Sequence, residues 1–167
     1  MGLPMYHTAF IGLGSNLENP RSQLQRAFAE FDELPETRLA TRSSLYRSAP
    51  MGYLDQPEFV NAVAKIETAL TPQALLQELL GIEHRHGRER TFRNAPRTLD
   101  LDILLYGDAQ LHEHGLTIPH PQMHLRPFVL QPLLEIAPEI GIPGMGQAIE
   151  AFEKCRDKML EMLPDAA

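Results

Sequence analysis

The 167-residue sequence has one cysteine, no long apolar run and no excess of positive charge. The lone Cys155 cannot form an internal disulfide, and a chain without a disulfide framework is typical of a reducing compartment. The purely apolar runs are only a few residues long, far shorter than a membrane-spanning helix requires. These absences predict a cytoplasmic protein that does not enter the membrane.

The charge balance is acidic, with 15 Lys and Arg against 22 Asp and Glu, for a formal charge of −7. Such a chain has no broad cationic surface for nucleic acid or anionic lipid, so an anionic ligand requires a local basic pocket. The first six residues lack the basic region and long apolar core of a signal peptide, and we expect no targeting segment. With 43% hydrophobic residues, the composition predicts a single domain over residues 1–167.

Hydrophobic periodicity predicts the order βαββαβ followed by additional elements. Four strands are expected, at residues 9–14, 39–48, 58–68 and 99–106. Four helices are expected, two beginning at Asn19-Pro20 and Thr71-Pro72 and two more at residues 128–137 and 147–163. This order predicts an α+β fold of the ferredoxin-like type, with a mostly antiparallel sheet and helices packed on one of its faces.

The expected strand at residues 99–106 combines apolar residues with two acids. Side chains alternate along a strand, so Asp100 and Asp102 share one face while Leu99, Leu101 and Ile103 face the core. Their Cα atoms lie roughly 7 Å apart, which allows both carboxylates to bind one magnesium ion or to flank two. A solvated strand face is the alternative, because short motifs often match by chance. Adjacent like charges repel unless a cation or an arginine offsets them, which favours the metal site.

The segment before this strand is rich in arginine. Arg88, Arg90, Arg93 and Arg97 present planar guanidinium groups that suit phosphate oxygens. A solvated loop and a nucleic-acid contact are alternatives, and the acidic net charge disfavours the second. A basic loop beside two carboxylates points to the chemistry of a metal–nucleotide complex.

The expected strand at residues 58–68 has a polar face and an apolar face. Phe59 and Asn61 share the first face, and the second consists of Val60, Ala62, Ala64 and Ile66. An aromatic ring and a neutral amide suit an uncharged planar heterocycle, which the ring stacks on and the amide binds at its edge. The alternative is an ordinary half-buried strand.

Three other features are weaker candidates. The segment Gly12 to Asn16 lacks the lysine of a Walker motif and the third glycine of a dinucleotide fingerprint, so we predict neither. His84 and His86 point apart on a helix, and no zinc site is expected. His120 has a backbone stiffened by the prolines on both sides, and Cys155 is expected in the core.

In their order along the chain, these motifs resemble the 6-hydroxymethyl-7,8-dihydropterin pyrophosphokinase family of the folate pathway. The resemblance runs from about Ala9 to Pro143. Its most specific segments are GLGSNL at 12–17, DQPEFVN at 55–61, RTLDLD at 97–102, and IPHP at 118–121 leading to Arg126 and Phe128. The resemblance implies a ferredoxin-like domain that transfers a pyrophosphoryl group from ATP to a pterin hydroxymethyl group, giving AMP, with the help of two Mg²⁺ ions.

The resemblance also implies a role for each candidate residue. The catalytic set comprises Asp100 and Asp102, which hold both metal ions, and Arg88 and Arg97, which contact the transferred phosphates. The pterin-binding set comprises Phe59 and Phe128 on the two ring faces, Asn61 at the ring edge, and backbone groups of Ser48 and Met51. The ATP-binding set comprises Glu83, Arg90, Arg97, the backbone of Ile103, Thr117, His120 and Arg126. The expected binding partners are the two small-molecule substrates, ATP and the pterin. We expect the protein to be a monomer and to bind neither nucleic acid nor a membrane.

Two other functional classes stay open from the sequence. A phosphatase or phosphotransferase with a catalytic Asp-x-Asp places its acids after an apolar strand, whereas here the apolar residues Ile103 to Leu105 follow the acids. A non-catalytic pterin- or nucleotide-binding module on the same fold is the second alternative. The chain has Asn94 and Ala95 where the family commonly has tryptophan and glycine, and Pro121 where it commonly has an aromatic residue.

Overall fold

The computed structural model describes residues 5–16, 19–48, 59–87, 99–155 and 160–163. The strands in these residues are β1 His7–Ser15, β2 Thr37–Arg42, β3 Tyr46–Ser48, β4 Phe59–Thr68, β5 Asp100–Tyr106, β6 Leu111–Glu113, β7 Leu116–Ile118, β8 Gly141–Ile142, β9 Gly146–Gln147 and β10 Glu161–Met162. The helices are α1 Pro20–Phe31, α2 Pro72–Arg85, α3 Pro127–Ile136 and α4 Ala148–Glu153, with a 3₁₀ turn at Met123–Leu125.

Six of the strands form the main sheet, in which every described strand pair is antiparallel. The sheet order is β10-β3-β4-β1-β5, and β2 also pairs with β4. Strands β4 and β1 are central, whereas β6–β7 and β8–β9 form two small separate sheets. The predicted antiparallel sheet is confirmed, and the candidate site residues lie on its central strand β4 and on its edge strand β5.

The first hydrophobic core lies between one face of this sheet and helices α1 and α2. It buries the apolar stripe that the helical period of this segment predicts for α1, which consists of Leu24, Ala27, Phe28 and Phe31. Strand β4 contributes every second residue to it, namely Val60, Ala62, Ala64 and Ile66, because strand side chains alternate between faces. Thr71 caps α2 as predicted, since its side chain accepts a hydrogen bond from the Ala74 amide at 3.1 Å.

A second hydrophobic core covers the opposite face of the sheet. Phe10 of β1 and Val63 of β4 point into it, and α3 contributes Val129, Leu130 and Leu133. Cys155, which follows α4, is partly buried against this core. The expectation of helices on one face is therefore wrong for α3 and α4, which cover the apolar residues that strand alternation places on the other face.

Two predicted helix features differ from the structure. The expected helix at 147–163 is too long, because α4 ends at Glu153 and β10 pairs with Tyr46 and Arg47 of β3. Pairing with the edge of a sheet satisfies backbone groups, and such tertiary pairing outweighs helical spacing. Asn19 precedes α1 as predicted, but it is left-handed with φ 59° and its side chain makes no capping hydrogen bond within the described residues.

None of the helices in the described part of the chain is long and apolar enough to span a membrane.

Candidate active site

Two glycines of β1 form a floor without side chains between β4 and β5, which we call the glycine floor. Gly14 pairs with Asn61 on one side and with Asp100 on the other. Gly12 pairs with Asp102 in the next but one row. Directly paired residues share one face of a sheet, so the amide and both carboxylates project from the same face. At a strand spacing of about 4.8 Å, the backbones of Asn61 and Asp100 lie about 10 Å apart.

The side chain of Asn61 lies close above Gly14. A Cβ atom placed on Gly14 would be 3.0 Å from Nδ2 of Asn61, closer than carbon and nitrogen normally approach without a hydrogen bond. Glycine at this position therefore leaves space for the observed position of the amide. This role of Gly14 was not predicted from the sequence, although two glycines at a spacing of two within a strand are a signal of close approach over the backbone.

The two candidate metal ligands alternate with core residues as predicted. Asp100 is half-buried and Asp102 is exposed, whereas Leu99, Leu101 and Ile103 are buried. Carboxylate oxygens are hard ligands of the kind Mg²⁺ prefers, and this ion commonly uses one or two carboxylates together with phosphates and water. The donor set on β5 therefore fits magnesium bound with a phosphate substrate. Among the described residues, no group of three or more His, Cys, Asp or Glu side chains forms a protein-only metal cage.

Glu83 of α2 fixes β5 at the residue between the two aspartates. Its side chain is buried, and Oε2 accepts a hydrogen bond from the Leu101 amide at 2.8 Å. Strand β5 is at the edge of the described sheet, where backbone groups require partners outside the ladder. The 3.6-residue period of this segment predicts an apolar helix face of Leu75, Leu76, Leu79, Leu80 and Ile82, with Glu83 on the seam with Leu76 and Leu80. Leu75, Leu79, Ile82 and Glu83 are buried in agreement with this prediction, whereas Leu80 is 42% exposed, and the prediction is wrong there.

His120 is anchored to β5 and lies in the electrostatic field of two other candidate residues. Its amide donates to the Leu104 carbonyl at 2.9 Å, and its Nδ1 accepts from the Gln122 amide at 3.1 Å. Burial lowers the pKa of His120 below its ordinary value of 6.5; Asp102 opposes this shift and Arg126 adds to it. The imidazole is therefore largely neutral at physiological pH and carries its proton on Nε2.

The residues at the start of α3 add a cation–π contact to the candidate site. The guanidinium carbon of Arg126 lies 5.7 Å from the ring centroid of Phe128, within cation–π range. Phe128 is partly buried in the first turn of α3, and Phe59, at the start of β4, is 39% exposed. Arg126 therefore contacts Phe128 and also contributes, with Asp102, to the electrostatic environment of His120.

The remaining predicted residues fall into two classes. The Ser48 backbone pairs with Phe59, Ile103 is buried in β5, and Thr117 is half-buried in β7, which packs against β5. Several others lie outside the described residues, namely Met51, Arg88, Arg90, Arg93, Asn94, Ala95 and Arg97. A separate cavity of about 520 Å³ lies at the opposite end of β4 from Phe59 and is lined in part by Glu67.

Sequence comparison gives one family and several similar proteins. The profile of the family described as 7,8-dihydro-6-hydroxymethylpterin-pyrophosphokinase (HPPK) matches residues 10–138. A 2-amino-4-hydroxy-6-hydroxymethyldihydropteridine pyrophosphokinase from Haemophilus influenzae is 49% identical over 158 residues, covering 94% of this chain and 99% of that protein. A protein with the same name from Pseudomonas aeruginosa is 46% identical over 162 residues, covering 97% of this chain and 100% of that protein.

Structural comparison shows a related fold at low sequence identity. A crystal structure of Plasmodium falciparum HPPK-DHPS matches 92% of this chain with a TM-score of 0.72 and 15% identity. The chain spans 46% of that solved chain, which is less than half its length. At this level of identity, the likeness concerns the mixed helix and antiparallel-sheet fold alone.

Proposed function

Because this chain belongs to the 7,8-dihydro-6-hydroxymethylpterin-pyrophosphokinase family, we propose that it transfers the pyrophosphoryl group of ATP to 6-hydroxymethyl-7,8-dihydropterin. The products are AMP and the pterin diphosphate, an intermediate of folate biosynthesis. The single observation that carries this proposal is the row Asn61–Gly14–Asp100 across three adjacent strands. An amide for a heterocycle and a carboxylate for a metal–phosphate complex project from one face over the glycine floor, on backbones that lie about 10 Å apart.

The pterin side of the site is built around β4. Asn61 offers both a donor and acceptors to the edge of a neutral ring, and Phe59 and Phe128 stack on its two faces. Backbone groups of Ser48 and Met51 complete the ring contacts, in accordance with the family resemblance. The cation–π contact of Arg126 with Phe128 supports this arrangement, because it holds the ring of Phe128 beside the phosphate-binding residues.

The nucleotide side of the site is built around β5. Asp100 and Asp102 hold two Mg²⁺ ions, which offset the negative charge of the triphosphate when they are bound with ATP. The side chains of Arg88 and Arg97 contact the transferred phosphates. The nucleotide is bound by Glu83, Arg90, the backbone of Ile103, Thr117, His120 and Arg126.

These residues promote the reaction mainly by orienting the two substrates, and less by transferring protons. In-line attack of the pterin hydroxyl on the β-phosphorus requires the two substrates to be held in register, and positioning supplies most of the catalysis in phosphoryl transfer. His120 is neutral, so its Nε2–H donates to a nucleotide oxygen without adding charge. Neither aspartate is assigned as the base for the hydroxyl proton, because a metal-bound carboxylate is a poor base.

We extend the proposal to the fold type, the domain organisation, the oligomeric state and the location of the protein. The order β3-β4-β1-β5, with α1 and α2 in the two connections, supports the ferredoxin-like assignment. We take residues 1–167 as one pyrophosphokinase domain that acts as a monomer. The single cysteine favours the cytoplasm as its location.

The decisive experiment is chromatographic detection of products from ATP and 6-hydroxymethyl-7,8-dihydropterin, with and without Mg²⁺. We expect AMP and pterin diphosphate in equal amounts, and only when all three components are present. Pterin binding without AMP formation would instead support a non-catalytic binding module. Phosphate release from ATP without pterin would support a hydrolase, and either result would overturn the proposed reaction.

A further inference from the structure

A carboxylate near the end of α3 binds the chain segment that leads from β2 into the first residue of β3. Oε1 of Glu135 accepts hydrogen bonds from the Ser44 amide at 2.9 Å and from the Tyr46 hydroxyl at 2.8 Å. Oε2 accepts a third hydrogen bond from the Ser44 hydroxyl at 2.7 Å. Glu135 therefore ties α3 to a segment about 90 residues earlier in the sequence, at both a backbone group and two side chains.

This cluster lies beside the pterin half of the candidate site. Tyr46 is 2% exposed and pairs directly with Asn61. Because paired residues share a face, its side chain rises from the same face as that amide and meets α3 above the sheet. Two residues further along β3, Ser48 pairs with Phe59. The strand that Glu135 holds is thus the neighbour of both candidate pterin residues of β4.

The same helix face carries the other aromatic residue of the site. Phe128 and Glu135 are seven residues apart on α3, which is two helical turns and places them on one face. Gln131 lies between them, where its Oε1 accepts from the Leu160 amide at 2.6 Å and its Nε2 donates to the Leu160 carbonyl at 3.1 Å. Strand β10 follows Leu160 and pairs with β3. One face of α3 therefore holds β3 directly through Glu135 and indirectly through β10.

We propose that Glu135 and Tyr46 are positioning residues for the pterin. Their hydrogen bond fixes the distance between the sheet, which carries Asn61 and Phe59, and α3, which carries Phe128. A planar ring stacks well only within a narrow range of separations, so this distance determines how tightly the pterin binds. The inference rests on the proposed pyrophosphokinase function and assigns no contact with ATP to either residue.

Tyr46→Phe tests the proposal against a matched control, Tyr106→Phe. The Tyr106 hydroxyl is also at the end of a buried ring, and it donates to the Leu70 carbonyl at 2.5 Å. Each variant removes one hydroxyl and one hydrogen bond without opening a cavity. We expect Tyr46→Phe to raise the pterin KM about three- to tenfold, the equivalent of one hydrogen bond, with the ATP KM unchanged. Tyr106→Phe should leave both KM values unchanged, while urea unfolding shows a comparable loss of stability in the two variants.

Variants of Glu135 provide the second arm of the experiment. Glu135→Ala should raise the pterin KM in the same way, and Glu135→Gln should restore part of it because its carbonyl oxygen still accepts hydrogen bonds. The control is Glu139→Ala, which removes an exposed carboxylate four residues further along the chain. Equal changes in the pterin and ATP constants, or equal behaviour of Tyr46→Phe and Tyr106→Phe, would show a purely structural role and overturn the proposal.

Direct titration of pterin fluorescence separates this inference from the proposed function. If the wild-type protein binds 6-hydroxymethylpterin but forms no AMP, the reaction is wrong, and weaker pterin binding by Tyr46→Phe than by Tyr106→Phe still supports the positioning role. If the wild-type protein does not bind pterin at all, both the function and the positioning role are overturned.

Discussion

Asn61 and Asp100 lie in one row of the sheet with only Gly14 between them. The row places a neutral hydrogen-bonding group and an acidic group on one face, about two strand spacings apart. Because each belongs to a different strand and is supported by different neighbours, the two halves of the site should respond separately to substitution.

Removing the charge of Asp100 or of Asp102 should strongly reduce turnover without unfolding the protein. Asp100→Asn and Asp102→Asn keep the side-chain shape but remove half of the metal-facing charge, so we expect kcat to fall by orders of magnitude. The buried face of β5, which includes Leu101, is untouched. Product assays across a magnesium titration and circular dichroism provide the measurements. Asp108→Asn, which changes an exposed carboxylate just after β5, is the control. Wild-type turnover of an Asp100 or Asp102 variant at limiting magnesium would contradict the metal assignment.

Truncating the aromatic residue at the start of β4 should weaken pterin binding selectively. Phe59→Ala removes a stacking surface, and we expect a loss of roughly 1–3 kcal/mol in pterin binding, by analogy with stacking on nucleobases. Asn61→Ala should also weaken pterin binding. Isothermal titration with each ligand separately is the measurement, and ATP affinity should stay at the wild-type value. Leu80→Ala, at a residue of similar exposure on α2, is the control. An equal loss for both ligands would identify Phe59 as an ordinary packing residue.

A methyl group on the glycine floor should displace the pterin-binding amide. The Cβ of Gly14→Ala would lie 3.0 Å from Nδ2 of Asn61, so this side chain must move. We expect pterin binding to weaken by roughly 0.5–1.5 kcal/mol, as for one misplaced hydrogen bond. The effect should largely disappear in an Asn61→Ala background, since both changes act on the same group. Gly81→Ala is the control, because its Cβ would meet Arg85 at an ordinary 3.7 Å. Additive losses in the double variant would contradict this mechanism.

The local patterns of the sequence predicted the parts of the site that depend on strand alternation. Asp100 and Asp102 project from one face of β5 and Leu101 is buried, because a period of two is a property of the strand itself. For the same reason, Phe59 and Asn61 were correctly placed on the face opposite the first core. The apolar stripe of α1 was equally predictable from its helical period.

The parts that could not be predicted depend on partners distant in sequence. Glu135 and Ser44 are 91 residues apart, and no local sequence pattern around either residue predicts their contact. Likewise, the last apolar residues have helical spacing, and only the open edge of β3 explains why β10 forms there. The role of the glycine floor could not be predicted without knowing which strands flank β1. This role depends on Asn61 of β4 and Asp100 of β5, and not on β1 alone.

The Tyr46 hydroxyl should make the protein sensitive to alkaline pH. Burial raises the pKa of Tyr46 well above its ordinary value of 10.0, and the hydrogen bond and negative charge of Glu135 raise it further. Below about pH 10 the tyrosine is protonated in both the folded and unfolded states, and its full contribution to stability is present. As the pH rises above that value, the unfolded chain loses its proton while the folded protein retains it, so the free energy of unfolding falls until the folded protein also ionises. Urea unfolding at roughly pH 8 and roughly pH 11 should therefore show a decline in the free energy of unfolding that is smaller in Tyr46→Phe than in the wild type.

The control is Tyr6→Phe, at a tyrosine that is 51% exposed, which should keep the wild-type decline in the free energy of unfolding. An identical decline in the wild type and Tyr46→Phe would mean that the Glu135 hydrogen bond does not hold the proton on Tyr46.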